Sequence, residues 1–256
     1  MFCPEPMSHD PASTDQPHGF PLTRDSVLVE LRSEDREKRE RAWESLAAAY
    51  WRPVYCHVRL RWNASREDAQ DLTQDFFLRA LGGNFFEGYD PGRARFRTFL
   101  RTCLDRFLSN EQRDAGREKR GGGIVFLPID VGEIEAELLT NGNPDPDPDQ
   151  TFHREWIRGL FILAVDALRA ECVAAGKEVQ FSIFERADLL PVEGVDRPSY
   201  RDLAEEFKIP MTQVTNYLAF ARREFRRLAL ERLASLCGSE EEYQSEAREL
   251  FGVASP

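Results

Sequence analysis

Three aspartates at helical spacing are the first residues of this chain whose types and positions could do chemistry. Asp68, Asp71 and Asp75 stand at i, i+3 and i+7, so a helix here would place all three carboxylates on one side. Such carboxylates can bind a metal ion or transfer protons, but no histidine shares the segment and all three would face solvent. A solvated helix face is the commoner meaning of such a pattern.

Two basic segments follow on a chain that is acidic as a whole. The net charge is −11 over 256 residues, yet residues 93–120 carry +5 and residues 211–232 carry +3. In the first segment, polar side chains recur every three or four residues opposite an apolar stripe: Thr98, Thr102, Arg106, Asn110, Arg113 and Arg117. The arginines could hold phosphates while Asn110 and the threonines reach base edges. Local basic faces on an acidic chain suit a protein that contacts DNA but holds it weakly alone.

Residues 200–218 have the pattern of two helices joined by a tight turn, as in helix-turn-helix DNA readers. Ser199 and Asp202 predict a cap for the first helix, and Pro210 fits the first turn of the second. Four arginines then follow on one side of the second helix, where they could hold phosphate: Arg222, Arg223, Arg226 and Arg227. A solvated arginine-rich face is the alternative interpretation.

Other classes of function find little support in the residues. We find no phosphate-cradling glycine motif, no nucleophile elbow and no paired-cysteine metal site, so no enzyme, cofactor or metal is predicted. The five cysteines are unpaired by spacing and indicate buried thiols in a reducing compartment. No apolar run is long enough to cross a bilayer and the first residues do not resemble a secretory signal, so we expect a cytoplasmic location.

Helical periodicity dominates, and the predicted fold is all-α with two helical domains joined by an acidic linker and a C-terminal helix-turn-helix. We expect a disordered leader over 1–25 and a three-helix domain over 26–120. The linker, 121–150, contains NPDPDPD and is predicted to be extended. A second helical domain covers 151–237, and an acidic helical tail covers 238–256.

Three segments together resemble a known family. SREDAQDLTQDFFLRAL resembles the core-binding segment of bacterial RNA polymerase sigma factors of the extracytoplasmic-function type, with matches at Asp68, Ala69, Asp71, Leu72, Gln74 and Phe77. FRTFLRTCLDRFLSNEQR resembles the segment that opens and reads the minus-ten promoter element, with matches at Phe96, Arg97, Leu100 and Arg113. SYRDLAEEFKIPMTQVTNYL resembles the segment that reads the minus-thirty-five element. KRGGG and the long C-terminus look like a sub-group with an extended tail.

The resemblance implies roles for three sets of residues. The core polymerase contacts would be Asp68, Asp71, Leu72, Gln74, Asp75 and Phe77. The minus-ten contacts would be Arg97, Arg101, Arg106, Asn110, Arg113 and Arg117. The minus-thirty-five contacts would be Gln213, Thr215, Asn216, Arg222, Arg223 and Arg226.

The resemblance also implies partners. These are core RNA polymerase, through its β′ coiled coil and β flap, promoter DNA, and an anti-sigma factor or other regulator; no membrane is involved and the free chain would be a monomer. The acidic linker would thread towards the polymerase active-site cleft. Three alternatives stay open: a dimeric helix-turn-helix regulator that does not bind core polymerase, an adaptor that binds polymerase without reading DNA, and an enzyme that uses the three aspartates.

Overall fold

The computed structural model describes residues 26–82, 85–114, 131–140, 147–189 and 197–252. Within these ranges the chain is helical and has no strand, which confirms the predicted all-α class. The helices of the first half are α1 (Val27–Glu30), α2 (Arg36–Arg61), α3 (Arg66–Gly82), α4 (Phe96–Asp114) and α5 (Val131–Thr140). Those of the second half are α6 (Pro148–Ala174), α7 (Glu178–Phe184), α8 (Tyr200–Phe207), α9 (Met211–Leu236) and α10 (Glu240–Phe251). The predicted leader, 1–25, lies outside the described residues.

Helices α2, α3 and α4 build the first core. Their apolar side chains recur at helical spacing, and Leu46, Tyr50, Phe76 and Leu100 are fully buried between them. Asp35 caps α2 by accepting hydrogen bonds from two backbone amides of its first turn. The three helices expected from the sequence are therefore present, and they hold the acidic and basic segments on fixed surfaces.

The linker departs from the prediction of an extended chain. Residues 131–140 form α5, and Val131 and Ile134 are buried in the first core. Glu135 accepts hydrogen bonds from both Arg59 nitrogens Nε and Nη2, at 2.7 and 2.9 Å, and from the Tyr55 hydroxyl at 2.5 Å. The prediction was wrong for this part because the acidic composition gave no sign of an amphipathic helix, whose Glu135 finds its partners on α2.

Helix α6 also begins earlier than expected, and it belongs to two cores. Asp147 caps it and Pro148 occupies its first turn, so the end of the NPDPDPD stretch starts a helix. Its N-terminal half packs on α2, where Gly159 allows close approach because a Cβ would meet the Ala49 carbonyl oxygen at 3.4 Å. Its C-terminal half joins α7, α8 and α9 in a second core. The division between the two cores therefore falls within α6, C-terminal to the predicted boundary at 150.

Helices α8 and α9 are joined by a three-residue turn. The capping box predicted at the start of α8 is present, with Ser199 and Asp202 satisfying each other's backbone amides. Lys208 ends α8 in the left-handed conformation at φ 55°, a position that usually favours glycine. Pro210 stands at the N-cap position of α9 without a side-chain capping hydrogen bond, directly before the first turn in which it was predicted. Whether this pair of helices reads DNA stays a prediction.

Candidate functional surfaces

The three aspartates of α3 form an acidic ridge (Asp68, Asp71, Asp75) on the protein surface. All three are exposed. Asp68 contributes to the cap at the start of α3. Its carboxylate accepts a hydrogen bond from Ser65 Oγ at 2.9 Å, and its backbone amide donates a hydrogen bond to the same oxygen. Partial burial raises the pKa of Asp75. Asp71 lies at the centre of the ridge and is the best placed of the three to meet a basic partner.

The other polymerase contacts predicted on α3 divide into two groups. Leu72 and Gln74 are half-buried at its edge, where a partner could touch them. Phe77 is only 3% exposed. Its ring stacks on Trp51 with centroids 5.7 Å apart and meets Trp43 edge-on at 5.9 Å. Phe77 therefore supports α3 from within the core, and its predicted direct contact with a partner does not fit this surface.

The middle of α4 presents an open basic face (Arg106, Asn110, Arg113). All three side chains are exposed and line a depression together with Thr102, Ser109 and the acidic residue Asp105. Guanidinium groups and an amide around an open depression suit contacts with phosphates and base edges. Arg117, predicted as a further contact, lies outside the described residues.

The start of α4 is basic as well, but its charges are covered. This covered basic row consists of Arg95, Arg97 and Arg101. Arg95 and Arg97 both donate to Glu246 Oε1 of α10, at 3.0 and 2.9 Å. Arg101 pairs with Asp149 at 2.7 Å. The predicted contacts Arg97 and Arg101 are thus occupied by acidic groups of the same chain.

On α9 the predicted base-reading residues and phosphate-holding residues differ in their surroundings. Gln213, Thr215 and Asn216 are exposed near the start of the helix. Arg222 instead makes two hydrogen bonds to Asp188, at 2.8 and 2.9 Å, which raise the pKa of its guanidinium. A phosphate would have to replace Asp188 before Arg222 could hold it.

The three other arginines of α9 that were predicted to hold phosphate also have partners within the chain. Arg227 pairs with Glu171 at 2.6 Å, Glu224 at 2.9 Å and Glu231 at 2.9 Å. Arg223 pairs with Glu224 at 3.1 Å, and Arg226 lies over the Phe251 ring at 5.6 Å. Both arginines are exposed, and exposed pairs of this kind are weak enough for a phosphate to displace them.

Helix α10 supplies functional candidates that reasoning from the sequence missed. Glu242 and Glu246 of α10 are buried, although the tail was expected only as an acidic helix. Burial raises the pKa of Glu246. The spacing of the two residues by four on one helix face was a signal available in the sequence. Their partners were not, because they lie on α4, about 150 positions away.

Glu246 also lies close to Glu249 and His153, and the three offer ligand atoms within 4.8 Å of one another. Burial and the nearby Arg97 lower the pKa of His153 to about 4. Because Arg95 and Arg97 already contact these carboxylates, the local charge disfavours a metal cation.

Comparisons with known proteins bear on these surfaces. Residues 47–118 match the family model of sigma-70 region 2. Over 185 residues the chain is 25% identical to the extracytoplasmic-function RNA polymerase sigma factor SigE of Mycolicibacterium smegmatis. Part of the chain is thus similar to sigma-70 region 2, and a longer part is similar to one sigma factor of the extracytoplasmic-function type. The region 2 match contains the acidic ridge, the open basic face and the covered basic row.

The alignment with SigE covers 72% of this chain and 60% of the relative, so the chain spans less than two thirds of that protein. No solved structure matches the chain significantly. Among the helices that the structure describes, none combines the length and apolarity needed to cross a membrane.

Proposed function

We propose that this chain is a bacterial sigma factor of the extracytoplasmic-function type, which binds core RNA polymerase in the cytoplasm and directs the start of transcription at promoters. It acts through binding surfaces and carries out no chemistry of its own. The observation that carries the proposal is the joint presence, within the region 2 match, of an exposed acidic ridge and an open basic face on adjacent helices.

The acidic ridge is the proposed docking surface for the β′ coiled coil of the polymerase. Asp71 provides an exposed carboxylate for a basic partner, and half-buried Leu72 and Gln74 offer contacts beside it. Charged residues at the rim of an interface steer association, while apolar neighbours exclude water from it. The β flap is the corresponding partner proposed for the C-terminal helices.

The open basic face is the proposed contact for the minus-ten element. Arg106 and Arg113 would hold phosphates of the non-template strand, and Asn110 would meet an unpaired base. Unstacking a base costs a few kcal/mol per step, which contacts to polymerase and to a second DNA element can jointly offset.

The start of α9 is the proposed reader of the minus-thirty-five element. Gln213, Thr215 and Asn216 are exposed on its first two turns, where a helix entering the major groove presents side chains to base edges. Arg222, Arg223 and Arg226 would hold phosphates once Asp188 and Glu224 release them.

Charge reversal on the ridge tests the proposal. We expect Asp71→Arg to abolish co-elution with core RNA polymerase and to leave the helical circular dichroism spectrum unchanged, because Asp71 is exposed. Asp166→Arg is the matched control, since Asp166 is an exposed aspartate in the middle of α6. Binding of the Asp71→Arg protein at the strength of the Asp166→Arg protein would show that the ridge is not the docking surface.

A further inference from the structure

Helix α10 covers the start of α4 with two buried carboxylates. The Glu246 side chain is 1% exposed and receives hydrogen bonds from both Arg95 and Arg97. Glu249, on the next turn, adds a second contact to Arg95 at 3.2 Å. Two guanidinium groups that converge on one anionic oxygen resemble the way in which arginines hold a phosphate.

The Glu242 side chain contacts the N-terminal end of α4. Its Oε1 accepts from the backbone amide of Phe96, the first residue of α4, at 2.7 Å. Its Oε2 accepts from the Gly238 amide at 2.7 Å and from the Tyr89 hydroxyl at 3.1 Å. Free amides at a helix N-terminus attract anions, because the helix dipole adds to their hydrogen-bonding capacity. The carboxylates of α10 therefore fill the places where a phosphate chain would find amide and guanidinium donors together.

The fit of α10 is specific in shape as well as in charge. Tyr243 and Ala247 are buried in the first core beside the two glutamates. A Cβ at Gly238 would lie 2.3 Å from the Tyr89 hydroxyl, and the Tyr89 ring is itself fixed against Phe96 at 5.1 Å. Only glycine at 238 therefore lets the segment before α10 reach its place.

The coverage stops part-way along α4. Asp149 from the start of α6 pairs with Arg101, which completes the covered basic row. One turn further on, Arg106, Asn110 and Arg113 are exposed. Acidic groups of the chain thus neutralise one half of α4 and leave the other half open.

We propose that α10 is an internal competitor of nucleic acid, which must leave α4 before Arg95 and Arg97 can contact the phosphate backbone of promoter DNA. This inference rests on the proposed function. In the free sigma factor, Glu242 and Glu246 hold the phosphate-binding positions, so the chain by itself binds DNA weakly. Displacement of α10 exposes Arg95 and Arg97 and adds a second basic site at the N-terminus of α4, while Arg101 stays paired with Asp149 of α6.

Two variants of the full-length chain release α10 by different means. Glu246→Gln removes the charge that pairs with the two arginines, and Gly238→Ala blocks the close approach to Tyr89 without any change of charge. Glu241→Gln is the matched control, because Glu241 is exposed on the same helix and the substitution alters the net charge equally. Backbone amide exchange of α10 reports whether the helix has left its place.

The probe is a fluorescein-labelled single-stranded DNA of mixed sequence, titrated at several salt concentrations. We expect Glu246→Gln and Gly238→Ala to bind it about tenfold more tightly than the wild-type chain, while Glu241→Gln binds as the wild type does. The plot of log affinity against log salt should steepen by about 1.4, since each added phosphate contact on a single strand contributes about 0.7.

Two results would overturn the inference. One is faster amide exchange in α10 together with an unchanged affinity for DNA. This result would mean that Arg95 and Arg97 are uncovered and still do not contact phosphate. The other is an α10 that stays protected in both variants, because its place then does not depend on these contacts. Co-elution of the wild-type chain with core polymerase is measured separately. Loss of co-elution would contradict the proposed function, whereas the DNA titrations test only the role of α10.

Discussion

The ion pair between Arg52 and Glu155 gives a direct test of the packing of α6 on α2. Arg52 Nε donates to Glu155 Oε2 at 2.8 Å, and the two side chains are 9% and 5% exposed. Replacing Glu155 with leucine would leave the guanidinium buried without that carboxylate. Loss of one partner of a buried pair costs about 3–5 kcal/mol, because the remaining charge stays desolvated. We therefore expect Glu155→Leu to lower the free energy of unfolding by about that amount.

The double variant Arg52→Met/Glu155→Leu separates the charge from the packing. Two well-packed apolar side chains of similar volume commonly restore most of the loss, so we expect the double variant to unfold within about 1 kcal/mol of the wild type. Urea denaturation followed by tryptophan fluorescence measures both values, since Trp156 lies on α6 beside Glu155 and is buried against Tyr50.

The control is the exposed pair of Arg36 and Glu40 on α2, at 2.7 Å with side chains 82% and 54% exposed. We expect Glu40→Leu to leave the unfolding midpoint unchanged, because exposed pairs contribute little. A loss below about 1 kcal/mol for Glu155→Leu, comparable with that of Glu40→Leu, would refute the reasoning that α2 and α6 close over a buried charge pair.

Three further predictions concern DNA reading, acid stability and assembly. Arg222→Ala should weaken promoter binding nearly uniformly across sequences, whereas Asn216→Ala should change the preferred bases; identical preference profiles from a selection on random duplexes would contradict these roles. His153 has a folded pKa of about 4, below its ordinary value of 6.5, so between these values the unfolded chain binds a proton that the folded chain does not. Stability should therefore fall as pH is lowered from about 7 to about 5, by about 1–2 kcal/mol more in the wild type than in His153→Gln; parallel curves in urea titrations would disprove this. The free chain should sediment as a monomer, whereas a dimer would favour the alternative of a regulator that does not bind core polymerase.

The sequence predicted the elements whose signals are local. The apolar stripes of α2, α3 and α4 recur within each helix, and the capping box at Ser199 and Asp202 spans only three residues. The exposed positions of Asp71 and Asn216 followed from the same periodicity. These features needed no knowledge of what lies across the fold.

Features that depend on distant partners could not be predicted. Helix α5 is fixed by Glu135 contacting Arg59, 76 positions away, so composition alone suggested an extended linker. The burial of Glu246 by Arg97 joins residues 149 positions apart. Phe77 matched the motif for a partner contact, but its ring is buried against Trp43 and Trp51 of α2. In each case, long-range packing decided what the local pattern left open.

Run-off transcription with bacterial core RNA polymerase and a library of genomic DNA fragments tests the central claim most directly. If the chain is a working sigma factor, adding it to the core enzyme should produce discrete transcripts that share upstream sequence elements, and the Asp71→Arg protein should produce none. Transcripts identical to those of the core enzyme alone, with no co-elution of the chain and the polymerase, would contradict the account.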